Sequence, residues 1–201
     1  MFPTISIIKN PKQDCSTATL FENKEQLNSF NLNPNEKEYL SQKFEKETEC
    51  SLLNYPELKF FGKIKPSENY LIREAARKAG AKLFHELKSA QINSVCLVNK
   101  CSSPLLQDFL EGLFLTSYSF NKYLKEKETF VLAEIFVVED NVSEPDVEEL
   151  LNLVRAVFAA RDLVNEPNSF LSAPQLSKEL EKLSDIAGFT LDVFNKQKLN
   201  H

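Results

Sequence analysis

Apolar positions along the chain alternate between a helical period and a strand period. Leu71, Ile72, Ala75, Ala76, Ala79, Leu83, Phe84 and Leu87 recur at helical spacing, with Arg73, Lys78, Lys82 and Lys88 between them. This predicts a long helix with one buried stripe, capped at Ser67 and favoured by the acidic Glu68 in its first turn. Gly80 within it costs about 1 kcal/mol relative to alanine, so close packing against another element is expected there. A second helix should begin at Ser103-Pro104 and carry Leu105, Leu106, Phe109, Leu110, Leu113 and Phe114. The third should begin at Ser143-Glu144-Pro145-Asp146, with Val147, Leu150, Leu151, Val154, Val157 and Phe158 on one face. Ser172-Ala173-Pro174-Gln175 reads as a Ser-x-x-Gln capping box opening a fourth, with Leu176, Leu180 and Leu183 as rungs and Gly188 as its terminator.

Between these helices lie strand-like runs. They are Ile5 to Ile8, Leu58 to Ile64, the continuous apolar run within Ser94 to Asn99, Thr129 to Val138 and the alternating Phe189 to Phe194. Signals around Asp14 to Phe21 are weak, and the Glu/Lys-rich stretch Asn31 to Glu49 reads as a solvated helix or loop with a few anchors such as Tyr39 and Phe44. Alternation of strands with long helices predicts an α/β domain built on a mostly parallel sheet flanked by helices.

Composition narrows the function classes. A hydrophobic content of 42% with 26% charged residues is ordinary for a globular chain, and a net charge of -5 argues on electrostatic grounds against broad nucleic-acid binding. Cys15, Cys50, Cys96 and Cys101 are irregularly spaced, which favours reduced thiols; the Cys96/Cys101 spacing is too wide for Cys-x-x-Cys. Met1 to Lys9 lacks a cationic leader and no run approaches a membrane span, so the expected address is cytoplasmic, with no membrane partner.

Candidate chemistry is sparse. His85-Glu86 is followed by Lys88 and Ser89 rather than a second histidine, and His201 stands alone at the end of the sequence. The four glycines, Gly62, Gly80, Gly112 and Gly188, form no Gly-x-Gly phosphate cradle. No catalytic, cofactor-binding or metal-ligating residue is therefore assigned. Asp162, Asn165 and Glu166 gather beside Pro167, but a helix ending before a proline accounts for them structurally, Asp162 as a cap or ion-pair partner and the other two as turn-forming groups.

Two segments resemble the leucyl aminopeptidase family of metallo-exopeptidases. One is Glu111-Gly112 through Tyr118, Phe120 and Tyr123; the other is Ala160-Arg161-Asp162-Leu163-Val164-Asn165-Glu166-Pro167. Pro174, the Leu176 to Leu183 helix and Gly188 to Lys196 continue the likeness, whereas residues before about 65 match poorly. The resemblance implies an amino-terminal α/β domain of macro-like topology over 1-142, a connecting helix and turn over 143-167, and over 168-201 the first helix and strand of a truncated catalytic domain. It further implies a parent enzyme that removes amino-terminal residues from peptides with two divalent metals, zinc or manganese, and assembles as a homohexamer. The metal ligands and catalytic groups would lie beyond the position matching His201, leaving this chain inactive alone. The alternative is a stand-alone α/β binding module for nucleic acid or protein assembly.

Overall fold

In the computed structural model the described residues are 3-54, 56-65, 69-102, 105-125, 130-138, 142-194 and 198. Six strands, β1 (Thr4–Ile8), β2 (Thr17–Phe21), β3 (Glu49–Asn54), β4 (Glu57–Lys63), β5 (Ser94–Asn99) and β6 (Glu134–Val138), form one sheet in the order β1-β6-β5-β2-β4-β3. Every neighbouring pair is parallel except the β3–β4 pair, so the expectation of a mostly parallel α/β sheet holds. The helices described are α1 (Pro34–Lys43), α2 (Asn69–Ser89), α3 (Leu106–Thr116), α4 (Glu144–Asn165) and α5 (Ala173–Ala187). Contacts divide the chain into two compact units, Met1–Phe158 and Ala159–His201.

In the first unit, side-chain alternation gives the sheet two apolar faces. Ala18, Leu20, Phe60, Leu97, Ile135 and Val137 bury one face in a single core with α2 and α3, while Leu150 and Val154 of α4 join the same core. On the opposite face Phe21 and Phe61 meet Leu27, Leu40 and Phe44, with the Phe21 and Phe44 rings edge to face at 5.0 Å. This smaller core covers the β2-β4-β3 side. It is closed by a 3₁₀ turn, Lys24–Ser29, and by α1, whose start is set by Asn33: its side chain accepts from the Glu36 N–H at 2.9 Å while Glu36 accepts from Asn33 N–H at 2.7 Å. That return bond holds the Glu36 carboxyl below its usual range.

At Gly80 and Gly112 α2 and α3 bring backbone against backbone. A Cβ on Gly80 would stand 2.0 Å from the Phe109 carbonyl oxygen, and one on Gly112 would stand 2.0 Å from that of Arg77. The close packing expected at Gly80 is therefore real, and it is reciprocal.

Several expectations are corrected. Among the described residues of the Thr129 to Val138 run only Glu134–Val138 is strand, where its neighbours β1 and β5 begin at Thr4 and Ser94, both in register with Glu134. Just before it Ala133 still bonds to both sides, its carbonyl accepting from the Thr4 N–H at 2.8 Å and its N–H donating to the Asn93 carbonyl at 2.7 Å, and Leu132 is buried in the core shared with α2 and α3. Phe189 to Phe194, expected as a strand, has no ladder among the described residues; alternation does not make a strand without a neighbour to pair with. The box at Ser172 does not close: Ser172 makes no side-chain cap bond, and Gln175 Nε2 donates to Glu179 Oε1 at 2.8 Å. By contrast Ser143 and Asp146 do cap α4, with the Ser143 hydroxyl 2.6 Å from Asp146 Oδ2, and Gly188 ends α5 at φ 74°. β2 and β3 had no clear strand signal, and β2 proves to lie inside the sheet. The start signals at Ser67, Glu68, Ser103 and Pro104 lie outside the described residues, as do Thr129, Lys196 and His201.

Candidate functional site

Strand order creates a crevice in the first unit. The chain leaves β2 toward the 3₁₀ turn and α1 on one face, whereas from the adjacent β5 it continues into α3 on the other. Neighbouring parallel strands whose connections depart on opposite faces leave an opening between them. Along the sheet face beside this switch, reaching back to the segment before β2, runs a cleft of about 520 Å³, within the range of small-ligand sites. Its floor is Thr17, Thr19, Lys59, Phe61 and Val98, from three adjacent strands. Its walls are the segment before β2, including Lys12, Asp14 and Cys15, and the turn at Phe30 to Leu32; Glu57 and Lys100 complete the lining.

The cleft's charges are not equivalent. Lys59 Nζ lies 3.3 Å from Glu36 Oε1, and Lys12 Nζ stands 3.5 Å above the centre of the Phe136 ring. Among the described residues Lys100 is held through its backbone, its N–H donating to the Leu20 carbonyl at 2.8 Å and its carbonyl accepting from Gln26 Nε2 at 2.8 Å. Burial, then the hydrogen bond with the Cys96 thiol, pushes the Cys15 thiol up to about 12. At neutral pH Cys15 is a thiol and not a nucleophilic thiolate. Burial likewise raises Cys50, and all four cysteines are free of disulfides.

The first resemblance segment forms a seam between helices. Arg77 of α2 donates from Nε to Glu111 Oε2 and from Nη2 to Asp108 Oδ1, both at 2.8 Å. Asp108 is buried, and its Oδ2 lies 3.5 Å from Arg73 Nε while accepting no hydrogen bond. Burial pushes the Asp108 carboxyl above its usual range, and Arg73 and Arg77 offset this only in part; the Glu111 hydrogen bond is the main cause raising Arg77. Gly112 permits the helix crossing, and Tyr118 meets Phe158 edge to face at 5.0 Å. Glu111, Gly112 and Tyr118 thus serve packing.

In the second segment α4 ends at Asn165, two residues before Pro167, and the Glu166 N–H closes on the Asp162 carbonyl at 3.1 Å. Asp162 and Asn165 are exposed, and so is His85 on α2. Among the described residues no group of three His, Cys, Asp or Glu side chains converges to hold a metal ion. No described helix is long and apolar enough to cross a membrane. The cleft itself was not readable as a motif, since its residues are scattered from Lys12 to Lys100 and meet only through strand register.

No protein-family model matches the chain. It is 31% identical over 144 residues to a probable cytosol aminopeptidase of Clostridium perfringens, a match that covers 66% of this chain and 29% of that protein. A probable cytosol aminopeptidase of Rickettsia felis is 29% identical over 148 residues, 67% of this chain and 29% of the relative. Among solved structures, a tomato leucine aminopeptidase mutant matches the fold with a TM-score of 0.74 at 14% identity, over 99% of this chain and 46% of that one. The chain thus spans about 29% of the length of the curated relatives it matches. Over about two thirds of its length the chain is thus similar to cytosol aminopeptidases, and over nearly all of its length it shares the fold of a leucine aminopeptidase.

Proposed function

We propose that the chain is the amino-terminal portion of a metal-dependent leucyl-aminopeptidase-like exopeptidase that hydrolyses amino-terminal residues from peptides. The observation that carries this is the 31% identity over 144 residues to a probable cytosol aminopeptidase, supported by the leucine aminopeptidase fold match over 99% of the chain. In this reading residues 1-142 are the amino-terminal α/β domain, 143-167 the connecting helix and turn, and 168-201 the first elements of the catalytic domain. That α5 has no buried residue supports an incomplete second domain.

Two divalent ions, zinc or manganese, would supply Lewis-acid chemistry in the parent. The described residues of this chain gather no such donor set. Asp162 and Glu166 are read as structural, and the chain by itself is proposed to be inactive. The parent is further proposed to be a cytoplasmic homohexamer. Incubating the 201-residue chain with a leucine anilide and added Mn²⁺ or Zn²⁺ should give no turnover; hydrolysis by the pure chain would overturn the assignment. A stand-alone nucleic-acid module is the weaker reading because of the net charge of -5, and a salt-sensitive gel shift at micromolar protein would favour it.

A further inference from the structure

We propose that the cleft on the sheet is a binding site for a short peptide with free termini, lying along the strand direction with its amino group toward Asp14 and Glu57 and its carboxylate toward Lys100. The inference stands on the cleft's polarity and does not depend on the peptidase reading.

β5, β2 and β4 are parallel, so the cleft has one end where these strands start and one where they finish. Asp14 precedes β2 and Glu57 opens β4, which places two carboxylates at the starting end against one ammonium, that of Lys12, which lies over the Phe136 ring, so this end is net negative. Lys100 follows β5 and places an ammonium at the other. Among the described residues none of Asp14, Glu57 and Lys100 has an ion-pair partner, unlike Lys59, which is held by Glu36. A single-sign anion or cation would satisfy one end and meet like charge at the other, whereas a dipolar ligand satisfies both.

The separation selects the ligand's length. Register sets Thr17 opposite Lys59 and Leu20 opposite Asn99, so Glu57 is level with Cys15 and Lys100 with Phe21. Six strand residues correspond to roughly 20 Å between backbone positions, and inward reach of the side chains shortens this to the span of an extended peptide of about three to five residues. A free amino acid, whose charges are adjacent, cannot bridge it. Between the ends the floor offers the hydroxyls of Thr17 and Thr19 to peptide groups and the apolar surface of Phe61 and Val98 to a side chain.

The test is an amide-resolved NMR titration of the 201-residue chain with the tetrapeptide Leu-Ala-Ala-Leu, its amino-acetylated form and its carboxamide. Saturable shifts centred on Thr19 and Val98 are expected, with affinity weakened about 5-fold by blocking either terminus, the range of one exposed charge pair. Asp14→Asn combined with Glu57→Gln should abolish the preference for a free amine, and Lys100→Met the preference for a free carboxylate. These groups lie at the rim of the cleft, and an unchanged amide spectrum of each unliganded variant confirms its fold. No saturation up to about 10 mM peptide, or saturation indifferent to blocking and to these substitutions, would overturn the proposal. Either result leaves the hydrolysis test unaffected.

Discussion

α3 and α5 are written in the same amphipathic grammar and meet different ends. α3 buries Leu106, Phe109, Leu110, Leu113 and Phe114, with Gly112 and Asp108. α5 repeats the pattern with Leu176, Leu180 and Leu183 and buries none of its residues; Ile186 is 83% exposed. α3 has α2 to cross, while the described residues of the second unit form, besides α5, the last turns of α4 and irregular segments. An apolar stripe therefore states a requirement for a partner, and the partner has to come from elsewhere in the fold. The same holds for strands: Glu134–Val138 pairs on both sides, and Phe189 to Phe194 on neither.

The largest way to break this contrast is at the α2–α3 crossing. Gly112→Ala or Gly80→Ala would gain up to about 1 kcal/mol of helix propensity, yet each introduces a methyl group 2.0 Å from a backbone oxygen that cannot swing aside. A net loss of about 3 kcal/mol is expected, read as a lower urea midpoint of the 201-residue chain. Stability equal to wild type would show that the helices part freely.

Next in size is Arg77→Met, which leaves buried Asp108 and half-buried Glu111 without their shared cation. Removing one partner of a buried pair costs several kcal/mol, but Arg77 is itself 32% exposed, so solvent screening reduces the expected loss to about 2 kcal/mol. The same urea titration measures it.

Asp108 should also mark the seam with a pH signature. Its folded-state pKa is raised, so the native state takes up the proton first and wild type gains stability relative to Asp108→Asn as pH falls from neutral toward the ordinary carboxylate range. Glu36 and Asp146, both lowered, act oppositely and lose stability on acidification, equally in both proteins. The difference between the two proteins, taken from urea midpoints at pH 7 and about pH 4.5, isolates Asp108; a difference independent of pH would mean that its carboxyl does not titrate differently on folding.

The smallest effect belongs to α5. Ile186→Lys should change the chain's stability by less than about 0.5 kcal/mol, since the side chain is already in water. A marked loss, or a change in sedimentation, would show that this face is covered in solution.

Legibility followed the range of the interactions. α2, β4, β5 and α5 were readable because long periodic runs and turn residues act within a few positions of themselves. β2 was hardly visible, although it lies between β5 and β4, because Thr17 to Phe21 is short and half polar, with Thr17 and Thr19 turned toward the cleft. The segment at Glu111 and Gly112 was recognisable as a family likeness without its reason being visible. Its reason lies on α2, where Arg77 supplies both the charge for Glu111 and the carbonyl that only a glycine admits.

By itself the sequence determined the class of the chain: alternating periods for a mostly parallel α/β sheet, a helix ended before Pro167, and two segments that resemble the leucyl aminopeptidase family. Tertiary structure alone decided which stripes are covered, where β6 begins and that Asp14, Glu57 and Lys100 share one cleft. The physical reason is that period and capping are local properties of the backbone. Burial, strand pairing and the meeting of charges require a second segment, and strand register sets which one arrives.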